Sequence, residues 1–260
     1  MSEYDFIFLN ETWLSGKENI NFDINGYQHE QLNGNKSRGS KKGRSSGGIS
    51  FYYKNKFKSH VQIVSKQQCG ILWVKLSSTV LGSDQDAYIC SIYIPPANST
   101  VFNHSEIDFY DQLEQDILTY NDLGRIYVTG DFNARTADAP DTLDYNTYLD
   151  RNSPNIVNTS SDLQPRVNMD PVLDHMGRRL LDTCQSSELV LANRRVLQNC
   201  EIGSYTFCSH AGLSTVDYLL LNGRDLDTLF HFEIFEFNEF SDHAPIRMHF
   251  QNLDQNTIHI

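Results

Sequence analysis

Apolar residues in this chain recur mainly in short runs that alternate with polar positions or mix β-branched and aromatic side chains. Such runs occur at Tyr4 to Asn10, Gly48 to Tyr53, Ile71 to Leu76, Tyr88 to Ile94, Ile126 to Thr129, Ser214 to Leu221, Phe230 to Phe237 and Ala244 to Phe250. Each reads as a strand. Two stretches change to helical spacing: Ser105 to Tyr120, with Phe109, Leu113, Ile117 and Leu118 on one face, and Leu173 to Glu188, with Met176, Leu180, Leu181 and Cys184. Ser105 is the expected cap of the first. Strands outnumber helices and the helices are dispersed, so the pattern predicts sheet packed on sheet with helices outside.

Two stretches carry no period. Asn33 to Ser46 places five basic residues among Gly and Ser, which reads either as a basic loop that meets phosphate or as a solvated one. Ala137 to Pro171 is polar, with four prolines, and a loop of that length inside a compact domain is usually functional or disordered.

A chain of 260 residues with 39% hydrophobic and 21% charged residues has room for one large core, so a single domain over 1–260 is expected. No run of about 18 apolar residues occurs, and the start Met1-Ser2-Glu3-Tyr4-Asp5 is acidic where a secretory signal is basic and then apolar. The expectation is an intracellular protein with no membrane contact. The five cysteines are odd in number, widely spaced and form no Cys-x-x-Cys pair, which argues against a zinc-ribbon or disulfide framework and predicts reduced thiols. A net charge of -12 disfavours nucleic-acid binding by bulk electrostatics. It leaves open an enzyme whose carboxylates gather a divalent cation that then faces the phosphate.

Five local patterns carry chemistry. Val128-Thr129-Gly130-Asp131-Phe132-Asn133-Ala134 ends a β-run in a carboxylate and an amide two residues apart, suited to orienting water and holding an oxyanion, or else to closing the strand with an Asx turn. Ser241-Asp242-His243-Ala244-Pro245 sets an acid beside an imidazole at a strand entrance. Asp217 lies inside the apolar run Val216 to Leu221, and a carboxylate buried there requires a partner, whether an imidazole, a cation or backbone amides. Glu11 follows the apolar run Phe8-Leu9-Asn10, a position natural for a Mg²⁺ ligand and equally for a solvated strand end. Tyr93, before Pro95-Pro96, offers a hydroxyl to a phosphate or a ring to the core.

Taken in order, Leu-x-Glu-Thr-Trp, Tyr-x-Pro, Gly-Asp-Phe-Asn-Ala, Val-Asp-Tyr-Leu-Leu and Ser-Asp-His-Ala-Pro resemble the endonuclease/exonuclease/phosphatase superfamily from about Tyr4 to Phe250. Gly130 to Arg135, Leu189 to Asn193 and Ser204 to Phe207 look most like the endonuclease domains of non-LTR retrotransposons. The resemblance implies a DNase I-like, four-layer α/β sandwich of two mainly antiparallel sheets flanked by helices. It implies Mg²⁺ or Mn²⁺ as cofactor and DNA as substrate for a monomeric enzyme. By the same resemblance Glu11 and Asp242 serve the metal, and Asp131 positions or deprotonates the attacking water. Asn133 binds the scissile phosphate, Asp217 orients His243, and Tyr93 and Thr206 line the phosphate groove.

The match departs from the family at two places. The family's first strand, ending in an Asn that helps organise the metal site, has no counterpart before Tyr4, so the expectation is an N-terminally incomplete copy. Pro96 stands where many relatives carry a phosphate-contacting Asn. Beside a DNA-nicking enzyme, the competing readings are a catalytically impaired remnant that binds nucleic acid weakly and an inositol-phosphate phosphatase of the same fold.

Overall fold

In the computed structural model, residues 3–15, 23–34, 45–67, 70–103, 105, 107–143, 163, 166–193, 195, 204–251 and 257–260 are described. The basic segment 35–44 and residues 144–162 of the long polar stretch lie outside them.

The elements run β1 (Phe6–Asn10), β2 (Tyr27–Leu32), β3 (Ile49–Lys54), β4 (Val61–Gln67), β5 (Ile71–Leu76), α1 (Ser78–Leu81), β6 (Ala87–Tyr93), α2 (Thr100–Asn103), α3 (Phe109–Asn121) and β7 (Arg125–Asp131). They continue with α4 (His175–Ser186), β8 (Leu189–Leu191), β9 (Phe207–Ser209), β10 (Gly212–Ser214), β11 (Asp217–Asn222), β12 (Leu229–Ile234), β13 (Ile246–Gln251) and β14 (Thr257–His259). Six strands form a central sheet in the order β4-β5-β6-β7-β11-β8, in which β6 and β7 are parallel and the other pairs antiparallel. Two three-stranded antiparallel sheets, β1-β3-β2 and β12-β13-β14, contribute Phe6, Phe51, Met248 and Phe250 to the core on one face of it.

The strands of the central sheet are nearly continuous apolar runs because both faces are covered. Along β5, Leu72 and Val74 enter the core shared with the three-stranded sheets, while Ile71 and Trp73 enter the core beneath α3 and α4. Along β11, Leu219 and Leu221 take the first face and Tyr218 and Leu220 the second. That parity decides where chemistry can occur, because Asp217 shares the face of Leu219 and its register partner Asp131 must share it too. Both carboxylates therefore point between the sheets.

The helices depart from the expected boundaries by a few residues. The cap of α3 is Asp108 and not Ser105: its carboxylate accepts from the Tyr110 and Asp111 amides at 3.0 and 3.2 Å, which a neighbouring Asp does better than a hydroxyl further upstream. Leu118, expected on the buried face, is 66% exposed, whereas Phe109, Tyr110, Leu113 and Ile117 are buried. α4 is capped by Asp174, whose carboxylate accepts from the Gly177 amide at 2.6 Å. Cys90, Cys184 and Cys208 are free thiols, as expected for reduced cysteines.

Buried ion pairs fasten the segments that flank the end of β7. Arg135 holds Asp170 through two hydrogen bonds of 2.6 and 2.7 Å, and Asp170 also accepts the Thr215 amide at 3.0 Å. Asp141, fully buried, is gripped by Arg195 at 2.6 and 2.7 Å and accepts the Leu191 amide at 2.7 Å. The stretch after Asn133 is thus tied to the start of β11 and to β8.

Candidate phosphoesterase centre

Asp131 ends β7 and Asp217 starts β11, paired across the sheet, while Tyr93 ends β6 on the other side of Asp131. Gly130 lets β7 reach that end: its φ is +141°, and a Cβ there would sit 2.0 Å from the Ile92 carbonyl oxygen. Only glycine tolerates both. Asn133 follows in the left-handed region at φ 46°, a conformation Asn accepts more readily than most residues. Its Nδ2 donates to Asp131 Oδ2 at 2.8 Å and to the Ile94 carbonyl at 2.9 Å, and its backbone N–H donates to Asp131 Oδ1 at 2.8 Å. The Asp-x-Asn spacing thus builds a closed Asx turn that fixes the Asp131 carboxylate, and both hydrogens of the Asn133 amide are spent within it, on Asp131 and Ile94.

His243 comes from the opposite layer. The Cys208 amide donates to the Asp242 carbonyl, the Ala244 amide to the Thr206 carbonyl, and the His243 amide to Ser241 Oγ at 3.0 Å, which seats the imidazole over the sheet end. Nδ1 lies 2.9 Å from Asp217 Oδ2 and Nε2 4.0 Å from Asp131 Oδ2. A carboxylate only accepts, so the proton on Nδ1 is donated to Asp217 and Nε2 faces Asp131. The Phe207 ring packs against the imidazole with centroids 4.7 Å apart.

Electrostatics at this point are strained. Burial, with Asp217 beside it, holds the Asp131 carboxyl well above the usual carboxylate range. Burial opposes charge on His243, but the Asp217 hydrogen bond and the charges of Asp217, Asp131 and Glu11 outweigh it and hold its pKa up to about 9. Tyr93 is 5% exposed, and burial together with its hydrogen bond to the Glu11 carboxylate pushes its hydroxyl far above the ordinary tyrosine range.

These shifts have a consequence for stability. A histidine with a folded pKa raised to about 9 against about 6.5 unfolded contributes stability fully below about pH 6.5 and loses it as pH rises through about 9. Metal-free protein is expected to lose on the order of 2 kcal/mol over that window, allowing for solvent screening at a partly exposed ring. Thermal melts between pH 6 and 10 check this: wild type should fall more steeply than His243→Gln, and parallel curves would contradict it.

Of the residues expected at the site, Asp131, Asn133, Asp217 and His243 are brought together, and Glu11 and Tyr93 adjoin them. Glu11 has φ 53° at the end of β1, where the next two amides, Thr12 and Trp13, donate to the Gly48 and Gly47 carbonyls. Thr206 is placed behind the centre and not in the groove: it is fully buried and its Oγ1 accepts the Val216 and Asp217 amides at 3.0 and 3.1 Å. Asp242 is exposed. Asn10, missed in the sequence, ties β1 to the central sheet by donating to the Ile92 carbonyl at 2.9 Å and accepting from Ser91 Oγ at 3.0 Å. A polar side chain in the last position of an apolar strand was the available signal.

Asp131, Asp217 and His243 offer ligand atoms within 4.8 Å of one another, the cluster of this kind found among the described residues. The set fits a hard divalent cation: two buried carboxylates at paired positions, with Glu11 close enough to raise both Asp131 and His243, need positive charge beyond the imidazole. Glu11 and Asp242 lie outside the 4.8 Å set, so of the two expected metal residues only Glu11 adjoins it. The centre opens into a cleft of about 870 Å³ between β1 and the segment Phe235 to Met248.

A two-sheet DNase I-like sandwich with carboxylates and an imidazole gathered at one end of the central sheet defines the hydrolytic nuclease and phosphatase class. The chain belongs to the Endonuclease/Exonuclease/phosphatase family, whose sequence profile matches residues 1–243. Its fold is similar to an AP endonuclease from Leishmania major, with 16% identity over 94% of this chain and 77% of that one and a TM-score of 0.65. It is also similar to a 3′ phosphatase from Neisseria bound to product DNA hairpin, with 15% identity over 95% and 89% and a TM-score of 0.59. The endonuclease domain of TRAS1, a telomere-specific non-LTR retrotransposon, matches with 16% identity over 94% and 84% and a TM-score of 0.53. No curated protein sequence matches the chain.

Proposed function

We propose that the protein is a Mg²⁺- or Mn²⁺-dependent phosphodiesterase that nicks DNA. The observation that carries this reading is His243, held by Asp217 at 2.9 Å with its free nitrogen 4.0 Å from Asp131, at the floor of an open cleft. A divalent cation at the carboxylates supplies charge for the phosphoryl oxygens and lowers the pKa of bound water. The chain's own residues do the rest. Asp131, fixed by Asn133, receives a proton from the attacking water, and its raised pKa suits it to that task. As the water oxygen bonds phosphorus, the P–O bond to the leaving sugar oxygen breaks and that oxygen takes its proton from solvent, while imidazolium His243, oriented by Asp217, donates a hydrogen bond to the phosphate and stabilises its developing charge. Asn133 holds the carboxylate in place, so its route to the phosphate runs through Asp131.

The cleft favours a diester over an inositol-phosphate monoester. A head group with several phosphates calls for a cationic pocket, and no Lys or Arg lines the cleft among the described residues. Supercoiled plasmid incubated with purified protein and Mg²⁺ or Mn²⁺ is expected to convert to open circles, with no phosphate released from inositol polyphosphates. Phosphate release without nicking would reverse the assignment, and neither product would favour the impaired remnant.

A further inference from the structure

Among the described residues no Lys or Arg lines the cleft, so aromatic rings that can stack on a base offer a means of holding a nucleotide chain there besides phosphate neutralisation. The lining is rich in aromatic rings, and the ones near the centre are not equivalent. Phe207 is spent on His243, with centroids 4.7 Å apart, and Phe235 lies under the Arg247 guanidinium at 4.8 Å. Phe240, two residues before Asp242, is 88% exposed, the most exposed large hydrophobic side chain among the described residues. It is not on a slack segment: the Phe240 amide donates to Asn238 Oδ1 at 2.9 Å, Asn238 and Ser241 form a β-bridge, and Ser241 Oγ accepts the His243 amide. The turn that seats the imidazole therefore also fixes the backbone that presents this ring at the lip of the same cleft.

Resting on the phosphodiesterase reading, we propose that Phe240 is a stacking platform for an unpaired nucleobase beside the scissile phosphate, which makes substrates with unstacked bases preferred over intact duplex. A nucleotide chain is anionic at its phosphate and apolar on its base faces, matching a centre that takes phosphate and a neighbouring ring that takes neither charge nor hydrogen bonds. In duplex those base faces are already covered by stacking, so the ring gains a partner only where a base is free. Aromatic stacking of this kind serves every base and confers little sequence preference.

The test compares wild type, Phe240→Ala and Phe240→Trp on an oligonucleotide carrying 2-aminopurine at an unpaired position and on the same sequence fully paired. Wild type should cleave the unpaired substrate with the higher kcat/KM, and Phe240→Ala should lose roughly ten-fold on it, in KM, with Phe240→Trp restoring the value. With Ca²⁺ replacing Mg²⁺, 2-aminopurine fluorescence should be quenched by wild type and Phe240→Trp and not by Phe240→Ala. Equal KM and equal quenching for Phe240→Ala would overturn the proposal while leaving the nuclease intact, and would leave the ring to a protein partner. Quenching by wild type without cleavage of any substrate would sink the nuclease reading and keep the stacking site.

Discussion

Asp131→Asn is expected to reduce metal-dependent nicking by about 10²–10⁴-fold, the range typical of a lost general base. The same substitution should change the Tm of the metal-free protein little, because relief of a costly buried charge offsets the one Asn133 hydrogen bond that an amide NH2 cannot accept. In the metal-free protein burial and the neighbouring Asp217 make the Asp131 carboxylate costly to ionise, a cost that a cation held there would offset, so the wild-type residue is a liability that folding tolerates for the sake of the site. Plasmid relaxation rates and thermal melts on one preparation read both effects. A variant that loses activity because it unfolds would contradict this account of Asp131, as would one that keeps its activity.

The largest effect on stability is expected outside the lining of the cleft, at Asp141. Its carboxylate is fully buried and carries two hydrogen bonds from Arg195 and one from the Leu191 amide, with Arg166 Nε at 3.9 Å. Asp141→Ala removes the charge that compensates two guanidinium groups only 7% and 9% exposed. Breaking a buried pair from one side typically costs about 3–5 kcal/mol, a large share of the roughly 5–15 kcal/mol that holds a domain. Denaturant unfolding should give that loss at unchanged m-value for Asp141→Ala, and a loss within about 0.5 kcal/mol, the scale of a surface change, would contradict it.

Both sites illustrate what the amino-acid order makes legible. The strands β5, β6, β7 and β11 could be read directly because a sheet covered on both faces demands uninterrupted apolar runs. Polar edge strands could not: β2, Tyr27–Leu32, carries Gln28, His29, Glu30 and Gln31 and shows no alternation, yet pairs with β3 along its whole length. β4 hid for a related reason, a register shift between Ile63 and Ser65 that breaks the period of two. Within the site, Asp131, Asn133, Asp217 and His243 stood out because each interrupts an apolar run or heads one. The resemblance puts Thr206 in the groove, and nothing local in the sequence shows that its hydroxyl instead accepts the Val216 and Asp217 amides, ten and eleven residues on. The ion pairs Arg135–Asp170 and Arg195–Asp141 span 35 and 54 residues, separations at which charge pairing leaves no local trace.

The most direct measurement is single-turnover nicking of supercoiled plasmid in Mg²⁺ by wild type, Asp217→Asn, His243→Ala and the double variant, each with an EDTA control. If the imidazole and its carboxylate act as one unit, wild type nicks and EDTA stops it. Both single variants then fall by orders of magnitude, and the double variant falls no further than His243→Ala alone. Nicking that survives EDTA, or losses in the two single variants that multiply in the double, would contradict the centre described for this protein.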